Sequence, residues 1–418
     1  MTECFADPAT NAPNERHVKL YQTWGESGAG LLITGNIMVD RRYLEAPGNV
    51  VVEDEKYLSV LTEWSSKCQS HGSKLVAQIS HPGRQCPISV STEPLCPSAS
   101  PPVQAALPLF RASRELTVQE IQDIIRRFAV TASVIQKAGF SGVQIHGAHG
   151  YLISQFLSPL INHRTDEYGG SASKRRQFLA EVVSAVRNAV GPKFIVSVKL
   201  NSSDFQKGGF TNKESFDVVR MLSDLHVDLI EVSGGTYENP KLLSSVKEST
   251  KQREAFFMEY VHEFRKVSAS YKESKIPPLM LTGGFRTAAG MDFALASGEI
   301  DIVGIARPFA TEPELIPYFL LPDSIAKNLS FVSPQLSIHP FLSKLDAAIE
   351  NLWHQGQMEL ISLGQKPNFN LGYFRLLTTL TLFTYVWSPR RSPIPSTYKF
   401  LFTFICGVII NALVRRFF

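Results

Sequence analysis

Paired cysteines are missing. The five cysteines, Cys4, Cys68, Cys86, Cys96 and Cys406, form no C-x-x-C unit, which removes zinc ribbons and iron–sulfur clusters from consideration. Scattered thiols in a chain of 418 residues fit a reducing compartment. A surplus of one charge is missing too: 42 Lys and Arg against 38 Asp and Glu leave +4, too little to suggest a nucleic-acid partner. The opening Met1-Thr2-Glu3-Cys4 carries no charged-then-apolar leader pattern. No G-x-G-x-x-G unit is present to suggest a Rossmann domain. What remains is a globular composition, 44% hydrophobic and 19% charged, long enough for one large barrel with an appendage or for two ordinary domains.

The dominant pattern is alternation. Seven short apolar runs recur at 30–35, 74–79, 142–146, 194–200, 228–233, 278–282 and 300–306. They are rich in Val, Ile and Leu with little polar alternation, as strands buried on both faces are. Amphipathic stretches lie between them, including Thr117–Ala138, Ser173–Val190 and Lys213–Leu225. Thr117 and Glu120 have the spacing of a capping box. Strand followed by helix, repeated, predicts parallel βα units and a (β/α)8 barrel.

Seven strands are one short of closure. Met1 and Thr2 read as the end of a first strand whose body is absent, the expectation being that the sequence starts one strand late; Pro8 and Pro13 argue against a substitute strand there. Without that strand, flavin retention and two strand edges would suffer. Two long excursions, Cys86–Arg114 and Gly234–Glu254, follow strands and are expected to rim the active face. The expected division is a barrel over 1–325, a helical extension over 326–370 and an apolar tail over 371–418.

The segment 142–171 concentrates the chemistry. His146 and His149 flank a Gly-Ala turn at a strand's carboxyl end, and Tyr151 follows. Two neutral imidazoles can donate hydrogen bonds to a carbonyl or oxyanion, and a phenol can deliver a proton. That set suits reduction of a polarised C=C bond. By itself an H-x-x-H pair is more often structural or metal-binding, although no nearby carboxylate completes a metal set here.

The run Tyr151, Gln155-Phe156-Leu157-Ser158-Pro159 and Asn162-His163-Arg164-Thr165-Asp166-Glu167-Tyr168-Gly169-Gly170 closely resembles the signature of the old yellow enzyme family, the NADH:flavin oxidoreductases, in its two-histidine subgroup. The resemblance covers roughly residues 1–320 and implies an eight-stranded barrel holding FMN, reduced by NADH or NADPH and reoxidised by an electron-poor alkene. It implies Tyr151 as proton donor and His146 and His149 as the grip on the activating carbonyl. It places Gln78 at the flavin pyrimidine edge, where a carboxamide both donates and accepts. It places Thr2 near O4, Gly35 beside the ring, and Lys199, an arginine in many relatives, near N1 and O2, where a cation stabilises the anionic reduced flavin. Gly283 and Gly284 after the seventh barrel strand, with Ala306 and Arg307 after the eighth, match the phosphate site; an ordinary tight turn is the plain alternative for the glycines.

The tail lies beyond that resemblance. Leu376–Trp387 and Phe400–Val414 are apolar, and Arg390, Arg391 and Lys399 lie between them. The expectation is a C-terminal membrane anchor with the barrel facing the cytoplasm, against an interfacial attachment or a buried extension. The leading expectation is thus an FMN ene-reductase or NAD(P)H dehydrogenase acting on a small electrophile, with no metal and an open oligomeric state. The rival is a non-catalytic, membrane-tethered barrel remnant.

Overall fold

The computed structural model describes residues 1–103, 109–233, 259–269, 276–283, 285, 287–319 and 346–371. Ten strands occur among them: β1 (Leu31–Met38), β2 (Val50–Val51), β3 (Lys74–Ser80), β4 (Leu95–Cys96), β5 (Arg114–Glu115), β6 (Gly142–Gly147), β7 (Ile195–Asn201), β8 (Leu229–Ser233), β9 (Leu279–Thr282) and β10 (Ile302–Gly304). Seven of these coincide with the seven apolar runs. They pair in parallel and in chain order, β1-β3-β6-β7-β8-β9-β10, with two-residue β2 added beyond β1. Each step between neighbours passes through a helix or a loop, as parallel pairing demands.

The helices fall where amphipathic periodicity put them. Val118–Lys137 starts at Thr117, whose hydroxyl accepts from the Glu120 backbone while the Glu120 side chain answers the Thr117 N–H, a complete capping box. It buries Ile121, Ile124, Ile125, Phe128 and Ile135 against the sheet. The stretch 173–190 is two helices, Ala172–Arg175 and Gln177–Val190, because the chain turns at Arg176. Asn212–Asp224 has its own capping box from Thr211 and Glu214. One continuous core of Leu, Ile, Val and Phe side chains lies between sheet and helices.

Closure is where the molecule departs from an ideal barrel. Among the described residues, β10 pairs only with β9, and β2 reaches only Ile37 and Met38 of β1. At the edge of β1 away from β3 the Gly35 N–H is met by two side chains: it donates to Glu3 Oε1 at 2.9 Å and to the Tyr21 hydroxyl at 3.0 Å. The Asn36 N–H reaches Thr2 Oγ1 at 3.4 Å. Side chains thus satisfy backbone donors that an adjacent strand would otherwise meet.

The helix Asp346–Ser362 lies inside the expected extension and packs against Glu15–Glu26 and Arg307–Thr311. Trp353, Gln357 and Met358 are buried. Gln355 Nε2 donates to the Thr2 carbonyl at 3.0 Å, and Arg16 pairs with Glu359 at 2.9 Å. This helix therefore bridges the N-terminal segment to the last strand's helix.

The excursion Cys86–Arg114 is not structureless. β4 and β5 pair, and bridges link Pro87 with Phe110 and Ser100 with Ser113. Arg164 Nη1 pins the rim by donating to the carbonyls of Pro97 at 2.8 Å and Leu116 at 2.6 Å. The Gly234–Glu254 excursion and the apolar tail from 372 onward lie outside the described residues; among those described, no helix is long and apolar enough to cross a membrane.

Candidate active site

Four parallel strands bring their polar residues to one end of the sheet. Register pairs Gln78 with Gln144, His146 with Lys199, and Lys199 with Glu231. Because side chains alternate along each strand, matched positions on neighbours share a face.

His146 is the penultimate residue of β6, and the chain turns sharply after Gly147. His149 takes a left-handed φ of 58°, followed by Gly150 at 76°. A non-glycine residue pays a modest strain there, roughly 1 kcal/mol or more. The turn is held by the His149 N–H donating to Asn201 Oδ1 at 3.1 Å and by the His149 carbonyl accepting from Gln85 Nε2 at 3.1 Å. The consequence is convergence. The His146 ring lies 5.1 Å from that of His149 and 4.8 Å from that of Tyr151, both edge-on. His146 and Tyr151 are buried and His149 half-buried.

The protonation of this cluster follows from its surroundings. Burial, then His149, then the Lys199 cation push His146 well below the usual histidine range. Burial and then Lys199 do the same to His149. Both rings are therefore neutral at pH 7. His146 Nδ1 accepts from the Ala148 N–H at 3.3 Å, so its one ring proton sits on Nε2 as a donor. His149 Nε2 meets Ser233 Oγ at 2.8 Å, which fixes the ring across from the end of β8.

Beside the histidines runs a row of polar contacts. Gln78 Nε2 donates to Gln144 Oε1 at 2.6 Å, Gln144 Nε2 donates to Glu231 Oε2 at 2.9 Å, and Lys199 Nζ pairs with Glu231 Oε1 at 2.9 Å. Gln144 and Glu231 are buried. Gln78 Oε1 has no partner among the described residues. Thr2 Oγ1 donates to Glu45 Oε2 at 3.1 Å. Gly35 is a close-approach position: a Cβ there would stand 2.3 Å from Glu3 Oε2 and 2.8 Å from Thr2 Cα.

The second group of expected residues lies at β9 and β10. Gly283 has φ 126°, open only to glycine. Gly304 is packed so tightly on Thr282 that a Cβ would meet its Oγ1 at 2.0 Å. Ala306 caps the short helix Arg307–Thr311. Arg307 Nη1 pairs with Glu350 Oε1 at 2.7 Å. Gly284 lies outside the described residues. A cavity of about 290 Å³ adjoins the histidine turn, lined by Arg84, Gly150, Ser154, Gln155, Ser158 and Asp204 among others.

Sequence reasoning missed Glu231, Gln144, Ser233, Asn201 and Glu350. Glu231 carried a readable sign: a carboxylate inside the apolar run 228–233 must find partners when buried. Glu350 had none, since its partner is distant in sequence.

The chemistry of this set suits a flavin mononucleotide. A carboxamide with an available carbonyl matches an N–H and carbonyl edge, the partly buried Lys199 cation matches an anionic ring, and glycines with an arginine match a phosphate. Residues 1–319 match the model of the NADH:flavin oxidoreductase / NADH oxidase family. An NADH-dependent flavin oxidoreductase of Hypocrea jecorina is 37% identical over 77% of this chain and 82% of its own length. One from Aspergillus parasiticus is 36% identical over 79% of this chain and 75% of its own length. The solved old yellow enzyme homologue of Zymomonas mobilis superposes with a TM-score of 0.64 at 26% identity, covering 80% of this chain and 89% of that one. The chain belongs to the NADH:flavin oxidoreductase / NADH oxidase family and is an NAD(P)H-dependent FMN oxidoreductase.

Proposed function

We propose that the acceptor is an electron-poor alkene conjugated to a carbonyl, and that His146, His149 and Tyr151 handle it. The observation carrying this reading is the convergence of two neutral imidazoles and a buried phenol at one strand end. The His146 Nε2–H is a donor aimed away from its backbone contact, suited to a substrate carbonyl oxygen. A neutral histidine polarises the carbonyl without surrendering a full proton to it. Tyr151 is then the group that delivers a proton to the carbon beside the one that receives hydride.

The same reading places FMN across the mouth. Gln78 would hold its pyrimidine edge, with Lys199 near N1 and O2, Thr2 near O4 and Gly35 beside the ring. Gly283, Gly284, Ala306 and Arg307 would hold its phosphate. Bound there, FMN supplies hydride exchange between NAD(P)H and the acceptor. Burial of His146, Tyr151 and Glu231 keeps bulk water away from those contacts. We propose further that residues 1–325 form the flavin barrel, with 326–370 as an extension docked on it. The apolar tail from 371 would tether the protein to a membrane with the barrel on the cytoplasmic side. Two apolar stretches separated by arginines support the tether. Truncation after Leu371 should release the protein from membranes with its flavin intact; continued sedimentation with membranes would sink that reading.

The decisive experiment for the site is an anaerobic absorption spectrum before and after NADH or NADPH, followed by a conjugated enone. Bleaching by the nucleotide and recovery by the enone are expected. Recovery with oxygen or quinone but never with an enone would overturn the alkene reading.

A further inference from the structure

We propose that Glu231 is a positioning residue for the flavin: through Gln144 it dictates which end of the Gln78 carboxamide faces the cofactor, and it sets the charge that Lys199 presents. The inference rests on the reading that Gln78 meets the flavin pyrimidine edge.

An amide side chain is ambiguous, because its oxygen and nitrogen occupy almost the same space and could exchange by a half-turn. A carboxylate is not ambiguous, because it only accepts. Glu231 is buried in β8, and one of its oxygens is paired with Lys199 Nζ at 2.9 Å. Its second oxygen must therefore receive a donor, and Gln144 Nε2 supplies it at 2.9 Å. That contact turns Gln144 Oε1 the other way, where it accepts from Gln78 Nε2 at 2.6 Å. One Gln78 N–H is now committed, and the carbonyl Oε1 is left to accept from the flavin N3–H. A half-turn at any amide in the row would set donor against donor or acceptor against acceptor, each with a buried unsatisfied group. Polarity is thus handed from a fixed charge on β8, past β7, to Gln144 on β6 and on to the amide at the site on β3. The same carboxylate offsets the Lys199 cation, so it also tempers how strongly the protein favours the anionic reduced flavin.

The test uses FMN binding and the flavin midpoint potential of the full-length protein. Glu231→Gln preserves volume but can both donate and accept, so the row loses its fixed polarity. FMN should bind about tenfold more weakly, about 1.4 kcal/mol, and the potential should move in the positive direction as Lys199 loses its counter-charge. The exchange variant Glu231→Gln/Gln144→Glu puts an acceptor-only group beside Gln78, accepting from both neighbours. It should restore FMN affinity to within about twofold of the parent. Unchanged affinity and potential in Glu231→Gln, or an exchange variant as weak as the single one, would overturn the proposal. If the single variant does not fold, the exchange variant decides alone: parental affinity supports the relay and weak binding overturns it. Gln78→Leu separates the two readings. Undiminished FMN binding there defeats the flavin-edge assignment, and with it the relay. Weakened binding there, with Glu231→Gln unaffected, defeats the relay only.

Discussion

The two ends of the site are built differently. At β6 to β8 the functional residues are close in sequence or in register, and the backbone turn at His149 delivers them to one another. At β9 and β10 the expected phosphate residues are separated by function as well as by space: Gly283 and Gly304 shape the backbone, while Arg307 is engaged by Glu350 from a helix beyond the barrel strands. The first end depends on short-range geometry. The second depends on a segment that arrives last, so its arginine is held in place by a partner that also competes with an incoming anion.

The largest effect should come from the first end. Tyr151→Phe is expected to slow enone reduction by about a hundredfold, the low end of what a positioned acid supplies, while NADH bleaches the flavin at the parental rate. Rapid-mixing measurements of each half-reaction would check it; equal loss in both would defeat the proton-donor role.

The second end should answer in stability as well as binding. Arg307→Leu leaves the buried Glu350 carboxylate without its cation, which is expected to destabilise the protein by about 2–4 kcal/mol. FMN affinity should fall too. Glu350→Gln should unfold less readily than Arg307→Leu and retain FMN. Identical melting of Arg307→Leu and the parent would show that the pair contributes nothing.

Acid should reach both ends through the core. Burial pushes His17 down to about 3 and His81 to about 4 from an ordinary 6.5. The unfolded chain therefore binds protons first as pH falls, so stability is full above about 6.5 and declines below it towards those values. Each histidine contributes up to about 2 kcal/mol of loss by about pH 5. Urea midpoints that stay flat between pH 7 and pH 5 would contradict this.

The smallest expected effect is local. Gly304→Ala forces a methyl into Thr282 and should lower stability by about 1–3 kcal/mol. Thr282→Ala in the same chain should relieve part of it, which a thermal melt of the double variant can read. No relief would place the strain elsewhere.

Most of the strand order was legible because parallel strands buried on both faces leave unmistakable apolar runs, and all seven were recovered with boundaries shifted by a few residues. β10 is the main exception, only Ile302–Gly304 of an apolar run spanning 300–306. The candidate cluster was legible because His146, His149 and Tyr151 sit within one turn of chain. The polar row behind Gln78 was not, since Gln144 and Glu231 acquire meaning only when β3, β6, β7 and β8 come into register. The pairings around the rim 86–114, β4 with β5 and Pro87 with Phe110, were not legible because they are too short to leave a period.

The sequence by itself determined the βα alternation, the family and the residue types offered at each strand end, because hydrophobic period and local motif are written in neighbouring residues. Tertiary structure alone decided that Glu3 and Tyr21 satisfy Gly35, that Glu350 holds Arg307, and that one buried carboxylate orients two amides. Those are partnerships between residues far apart in the chain, and only packing brings a charge, a donor and an acceptor within hydrogen-bond reach.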